Sequence, residues 1–177
     1  MAEVFTNALK KSAGIVTTSS NGTIGVTATA ITGISTVGVS VGDLVDNQHF
    51  LGNAKVSVIG VGQVTVDTAS TNQVSATAQV VRFLTPTTAY TSPAGTKSIL
   101  IGGTFANLTN GNVNISVEVS SGSTSTSIAN NIPVPSGSSF VISDAGKTVL
   151  LENDVIKIYC DTANAVDVTL GILQGVG

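Results

Sequence analysis

Over residues 113–119 every second residue is branched and apolar: Val113, Ile115, Val117 and Val119 fall on one side, Asn114, Ser116 and Glu118 on the other. A two-residue period matches the pleat of a β-strand and conflicts with the 3.6-residue period of a helix. The alternation returns in residues 166–172, which set Val166, Val168, Leu170 and Ile172 inward. In the run Val-Ile-Lys-Ile-Tyr-Cys, 155–160, apolar groups occupy both faces, so this strand is predicted to be buried on both sides.

Turn residues interrupt such runs at the spacing of about 8–12 residues typical of all-β sandwiches and barrels. Gly22 after Asn21 and Gly111 after Asn110 are expected to supply the positive φ of tight hairpins. Pro93-Ala94-Gly95, Pro135-Ser136-Gly137 and Asp144-Ala145-Gly146 fit open turns, and Gly60-Val61-Gly62 fits a turn between two strands. Two stretches, 40–47 and 150–160, share one design: an aspartate, Asp43 or Asp154, sits where a strand turns back and branched apolar residues resume. Such a carboxylate accepts hydrogen bonds from turn N–H groups that have left the ladder, so both aspartates read as structural.

The expected fold is all-β: two small β-sandwich or barrel modules, the C-terminal one jelly-roll-like, preceded by an extended N-terminal arm over about residues 1–12. Pro86, which has no N–H for a ladder, opens a Thr/Ser/Pro-rich connector within residues 83–97. The N-terminal module is accordingly placed at 1–85 and the C-terminal module at 86–177, one continuous double sheet being the alternative. A fragment starting near Thr87 is expected to fold alone around Ile99, Ile101, Val113, Ile115, Val117, Val149, Leu151, Ile156, Ile158, Val168 and Leu170.

Charged residues make up only 10% of the chain, against about 25% in ordinary domains. The net charge is −3 and the one basic pair is Lys10-Lys11, so nucleic acid is not an expected partner. Nothing approaches 18 consecutive apolar residues, so no membrane partner is expected. The start of the chain, with its early Glu3 and no apolar run, does not read as a secretory signal. A single cysteine, Cys160, excludes an intramolecular disulfide and reads as a small buried hydrophobe. The Asn-x-Ser/Thr triplets at Asn21, Asn107 and Asn114 read as polar strand or turn residues.

Chemistry-bearing motifs are weak. Gly38-Val39-Ser40-Val41-Gly42 satisfies the pattern of a hydrolase nucleophile elbow, but no helix is expected after it and the sole histidine, His49, follows nine residues on. It is read instead as Gly/Val alternation in a strand. Asp43, Asp46 and His49 would converge on a metal only along a helix, and Asp161, Asn164 and Asp167 lack a calcium-loop pattern. No cofactor, metal or catalytic residue is therefore assigned. Four prolines, few lysines and no expected helix leave sheet edges that other subunits would cover, which favours an assembly component and a homo-oligomer.

Residues 87–119, beginning Thr-Thr-Ala-Tyr-Thr-Ser-Pro-Ala-Gly, and residues 131–173, with Ile-Pro-Val-Pro-Ser-Gly-Ser-Ser and Leu-Glu-Asn-Asp-Val-Ile, resemble the small virion structural proteins of tailed bacteriophages. Residues 31–45 and 54–71 resemble segments of structural proteins from marine cyanobacterial phages. The resemblance implies a non-enzymatic particle protein, first a capsid decoration or cement protein, next a tail, neck or baseplate component. Its partners would be other virion proteins, and its place the virion assembled in the host cytoplasm. A receptor- or glycan-binding adhesin and a polysaccharide depolymerase are the competing classes, and the shortage of aromatic sugar platforms weighs against both.

Overall fold

In the computed structural model, which describes residues 3–143 and 147–176, the described residues form fifteen strands and no helix. The chain divides into two compact units, Met1–Gly14 with Thr87–Gly177, and Ile15–Pro86. The second is thus inserted in the chain of the first. Its entry and exit lie side by side, because Ile15 pairs with Thr85.

The discontinuous unit is a β-sandwich. One sheet runs β1 (Val4–Ala13), β15 (Val166–Val176), β9 (Lys97–Asn107), then β12 (Ser139–Ile142) and β13 (Thr148–Leu150), which pair with successive stretches of β9. The other runs β11 (Thr124–Val134), β10 (Val113–Ser121), β14 (Val155–Cys160), β8 (Thr87–Thr91). With β12 and β13 taken as one, the strands this unit forms among the described residues, counted in chain order, read 1-8-3-6 in one sheet and 2-7-4-5 in the other. That is the order of a jelly roll, two interlocked Greek keys. The alternating residues meet between the sheets as their period demands: Val113, Ile115, Val117, Ile156, Ile158, Val166, Val168, Leu170 and Ile172 are all core, and so is Cys160.

Three expectations are corrected here. The first residues are not a free extended arm: β1 pairs antiparallel with β15 from Val4↔Gln174 to Ala13↔Val166 and supplies one strand of the jelly roll. The segment reads poorly as a strand because its outward positions, Phe5 and Leu9, are themselves apolar, which blurs the alternation. The module boundary moves with it, since residues up to Gly14 belong with the C-terminal half and Pro86 alone separates β7 (Ala76–Thr85) from β8. The core is also shifted by one residue in two strands, with Leu100 and Leu150 inward while Ile99 and Ile101 are only partly buried and Val149 and Leu151 are exposed. Runs such as Ile99-Leu100-Ile101 have no polar residue to fix parity, and a one-residue slip exchanges the faces.

The inserted unit comprises β2 (Ile15–Ile24), β3 (Ala30–Thr32), β4 (Leu44–Asp46), β5 (Val56–Gly60), β6 (Gln63–Val66) and β7, in the order β4-β7-β2-β3-β6-β5. The ends of this sheet meet. Leu44 bridges Lys55, the Val45 N–H donates to the Ala54 carbonyl, and the Val56 N–H donates to the Asp43 carbonyl. The sheet is therefore a closed barrel, filled by Ile24, Ile31, Val45, Val64, Val81 and Phe83 among others.

Candidate functional site

Asp43 and Asp154 have the same geometry. Each ends a four-residue turn, Ser40-Val41-Gly42-Asp43 or Leu151-Glu152-Asn153-Asp154, immediately before a strand. The Asp43 N–H donates to the Ser40 carbonyl at 3.1 Å, and Asp43 Oδ2 accepts from the Ser40 N–H at 2.8 Å. The Asp154 N–H likewise donates to the Leu151 carbonyl at 3.2 Å, and Asp154 Oδ2 accepts from the Leu151 N–H at 2.8 Å. In each turn only the third residue has positive φ, Gly42 at 91° and Asn153 at 64°, as a type II turn requires.

The correspondence continues into the neighbouring strand. Gly42 donates to the Val56 carbonyl while Val56 donates to Asp43; Asn153 donates to the Ser92 carbonyl while Ser92 donates to Asp154. Each aspartate thus closes a turn with its carboxylate and starts a strand pairing with its carbonyl. One difference separates them: Asp43 is fully buried and its Oδ1 has no partner among the described residues.

Of the three glycines singled out as turn residues, Gly137 occupies one, with φ of 69° and the Ser138 N–H donating to the Pro135 carbonyl. Gly22 does not. It lies within β2, where the register with β7 shifts between Ser19 and Gly22, so Asn21-Gly22 forms a bulge, with only Asn21 at positive φ. A bulge and a turn both draw on the tolerance of Asn for this conformation, so the dipeptide does not distinguish them. Gly111 also lacks positive φ, because β9 and β10 belong to different sheets and their link crosses between layers instead of forming a hairpin. Asn107 organises that link: its Nδ2 donates to the Gly111 and Val134 carbonyls, and its Oδ1 accepts from the N–H of Thr109. The sequence offered this residue only as part of an Asn-x-Thr triplet. Asp144-Ala145-Gly146 lies outside the described residues.

The remaining candidates do not converge. Residues 38–42 are turns, not strand, with positive φ at Gly38 and Gly42, and the N–H of the exposed Ser40 is held by Asp43. Asp46 forms an ion pair with Arg82. Asp161 Oδ1 accepts from the Asn114 N–H, whereas Asp167 Oδ1 accepts from Ser12 N–H on β1, so these carboxylates serve different strands. No group of three His, Cys, Asp or Glu among the described residues could hold a metal ion. Glu118, on the polar side of its strand, is buried, and Tyr159 donates its hydroxyl to Glu118 Oε2 at 3.3 Å. A buried chain of hydroxyls joins Tyr90, Ser98 and Ser92, with Gln174 Nε2 donating to Tyr90.

Two surface clefts are lined by described residues. The larger, about 530 Å³, lies in the sandwich between Gly95, Thr96, Lys97, Leu151, Glu152 and Val176, with no aromatic side chain among its described lining residues. The smaller, about 380 Å³, lies in the barrel over the Arg82–Asp46 pair. A feature missed in the sequence is the outer face of the sheet containing β1, where Phe5, Leu9, Val141 and Val149 are more than half exposed. No helix among the described residues is long and apolar enough to cross a membrane. No known family model, curated protein or solved structure matches the chain.

Proposed function

We propose that the chain is a non-enzymatic structural protein of a tailed-bacteriophage virion, acting first as a capsid decoration or cement protein, with a tail, neck or baseplate position as the variant of the same reading. The observation that carries it is the jelly-roll strand order in a charge-poor chain whose singled-out aspartates are occupied by turn hydrogen bonds. Jelly rolls serve as capsid and lectin domains alike, and fold alone does not choose between them. The absence of aromatic side chains from the described lining of the larger cleft favours the structural role over an adhesin. The resemblance of residues 87–119 and 131–173 to virion proteins points the same way.

In this reading the partners are other virion proteins and further copies of the chain, bound through apolar contact, since exposed ion pairs contribute only about 0–1 kcal/mol each. The test is to purify particles, separate heads from tails on a density gradient and locate the chain by mass spectrometry. Recovery with heads after washes in both 0.1 and about 1 M salt is expected, because shortening the Debye length from about 10 to 3 Å leaves an uncharged interface unaffected. Recovery with tails would select the variant; absence from particles would overturn the reading.

A further inference from the structure

The sheet β1-β15-β9-β12/β13 turns one face to the core and the other to solvent, and the outer face is apolar in rows. Phe5, Leu173, Ile99 and Val149 are successive cross-strand partners and form one row across the sheet. Leu9, Thr169, Thr104 and Val141 form a second. Phe5 is 75% exposed, Leu9 69%, Val149 56% and Val141 53%, so the described residues leave more than half of each uncovered. Between the rows Asn7 lies opposite Gly171 and Gly171 opposite Gly102. A Cβ placed on Gly171 would meet only the Gly102 carbonyl oxygen, at 3.8 Å, so the face dips there beside the projecting Phe5.

We propose that this face docks a second copy of the chain, face to face about a twofold axis. The inference rests on the reading of the protein as an assembly component and names the surface it uses. Three features select a second copy over another partner. A twofold interface sets one surface against itself, so any charge would meet its own kind, and neither row nor the Asn7–Gly171–Gly102 strip between them contains one. The face carries both a projection, Phe5, and a neighbouring dip, Gly171, so each copy can seat its ring over the other's glycine. The size also fits. Four strands about 4.8 Å apart, of which β1, β15 and β9 are about ten residues long at ~3.3 Å each, give a face of about 20 by 30 Å, with the charge-free rows in its middle and Asp167 in the next row out. Two such faces bury about 1,200 Å², the lower bound of a standard stable interface.

The experiment is sedimentation equilibrium of the purified full-length chain at about 50 µM, a concentration that populates the weaker interfaces of this size class. Twice the chain mass is expected. Gly171→Lys puts a charge in the dip at a residue whose φ is not positive, and Val149→Lys puts one at an already exposed position. Each should return the mass to that of one chain while leaving thermal unfolding unchanged, since a lysine buried at the interface would lack a partner. Val61→Lys, on an exposed turn of the barrel, should leave the mass doubled. If Gly171→Lys unfolds the protein, Val149→Lys decides alone. A wild-type chain at single mass, or a dimer that survives Val149→Lys, overturns the proposal. Single mass leaves the virion reading standing, with another virion protein as occupant; absence from particles sinks that reading whatever the solution mass.

Discussion

In the barrel β4 meets the chain at the start of β5, so every strand has a neighbour on each side along part of its length. In the sandwich β1, β8, β11, β12 and β13 remain edges. These edges are better guarded than four prolines and few lysines suggest. β1 carries Lys10 and Lys11 and breaks register between Lys10 and Ala13, and β11 carries Pro133 and two register shifts. Bulges, lysines and prolines all disfavour strand addition. Exposed apolar residues differ just as sharply. In the barrel, Val37, Val41 and Val61 stand at turns, each followed by a glycine of positive φ, and Val58 and Ile59 are exposed on the same hairpin as Val61. In the sandwich they line up on one face. Scattered apolar residues are ordinary, whereas a contiguous face marks an interaction. The contrast transfers the argument for assembly from sheet edges to a sheet face.

The contrast between a self-closed insert and a host that is discontinuous in sequence can be broken by cutting the chain. Residues 15–86 expressed alone should unfold cooperatively, because the sheet closes on itself around its own core and the ends already lie together. A fragment of residues 87–177 should not, since it lacks β1 and leaves β15, with core residues Val168, Leu170 and Ile172, as a bare edge. Residues 1–14 joined to 87–177 by a short Gly/Ser linker should recover cooperative unfolding, because the Gly14 N–H already reaches Thr87 Oγ1 at 3.4 Å. Calorimetry of the three fragments checks this. A cooperative transition in the 87–177 fragment would show that β1 is an accessory of the sandwich and that the expectation from sequence was sound.

What could be read in advance follows from where polar residues interrupt the apolar ones. β10 and β15 were legible because Asn114, Ser116, Asp167 and Thr169 fix parity between branched residues. β9 and β13 were not, because Ile99-Leu100-Ile101 and Val149-Leu150-Leu151 present apolar groups at every position, and only cross-strand register decides which faces inward. The turn aspartates could be located because their partners lie three residues away. Membership of β1 in the C-terminal unit could not, because its partner β15 lies at the far end of the chain and no local signal encodes so distant a pairing. The apolar outer face was hidden for the same reason: its rows take residues from β1, β15, β9 and β13, which only the fold brings together.

The two turns offer a smaller and sharper comparison. Asp154→Ala should destabilise the sandwich by about 1–3 kcal/mol, because the part-buried Leu151 N–H loses the buried carboxylate that accepts from it. Asp43→Ala removes the equivalent acceptor from Ser40 but also removes a buried oxygen that had no partner among the described residues. Its net loss should therefore fall below that of Asp154→Ala, at about 1 kcal/mol or less. Urea titrations that follow each unit by its own probe measure the two values. A larger loss at Asp43 would mean that barrel closure at Val56, and not the turn itself, depends on the carboxylate.

The smallest effect is expected at the Arg82–Asp46 ion pair. These residues are direct cross-strand partners between β7 and β4, so the pair spans one of the joints that β4 makes in the closed barrel. Its side chains are 40% and 36% exposed, which leaves the pair partly hydrated and screened although the Asp46 oxygen facing Arg82 is buried. Exposed pairs of this kind contribute about 0–1 kcal/mol, against the several backbone hydrogen bonds that hold β4 on both sides. Asp46→Asn should accordingly lower barrel stability by less than about 1 kcal/mol at low salt and by nothing measurable at 1 M, where the Debye length is about 3 Å. Paired urea titrations at the two salt concentrations test both statements. A loss above 2 kcal/mol that persists at high salt would show that barrel closure rests on this pair, and the contrast between a barrel closed by its backbone and a sandwich with open edges and an exposed apolar face would have to be redrawn.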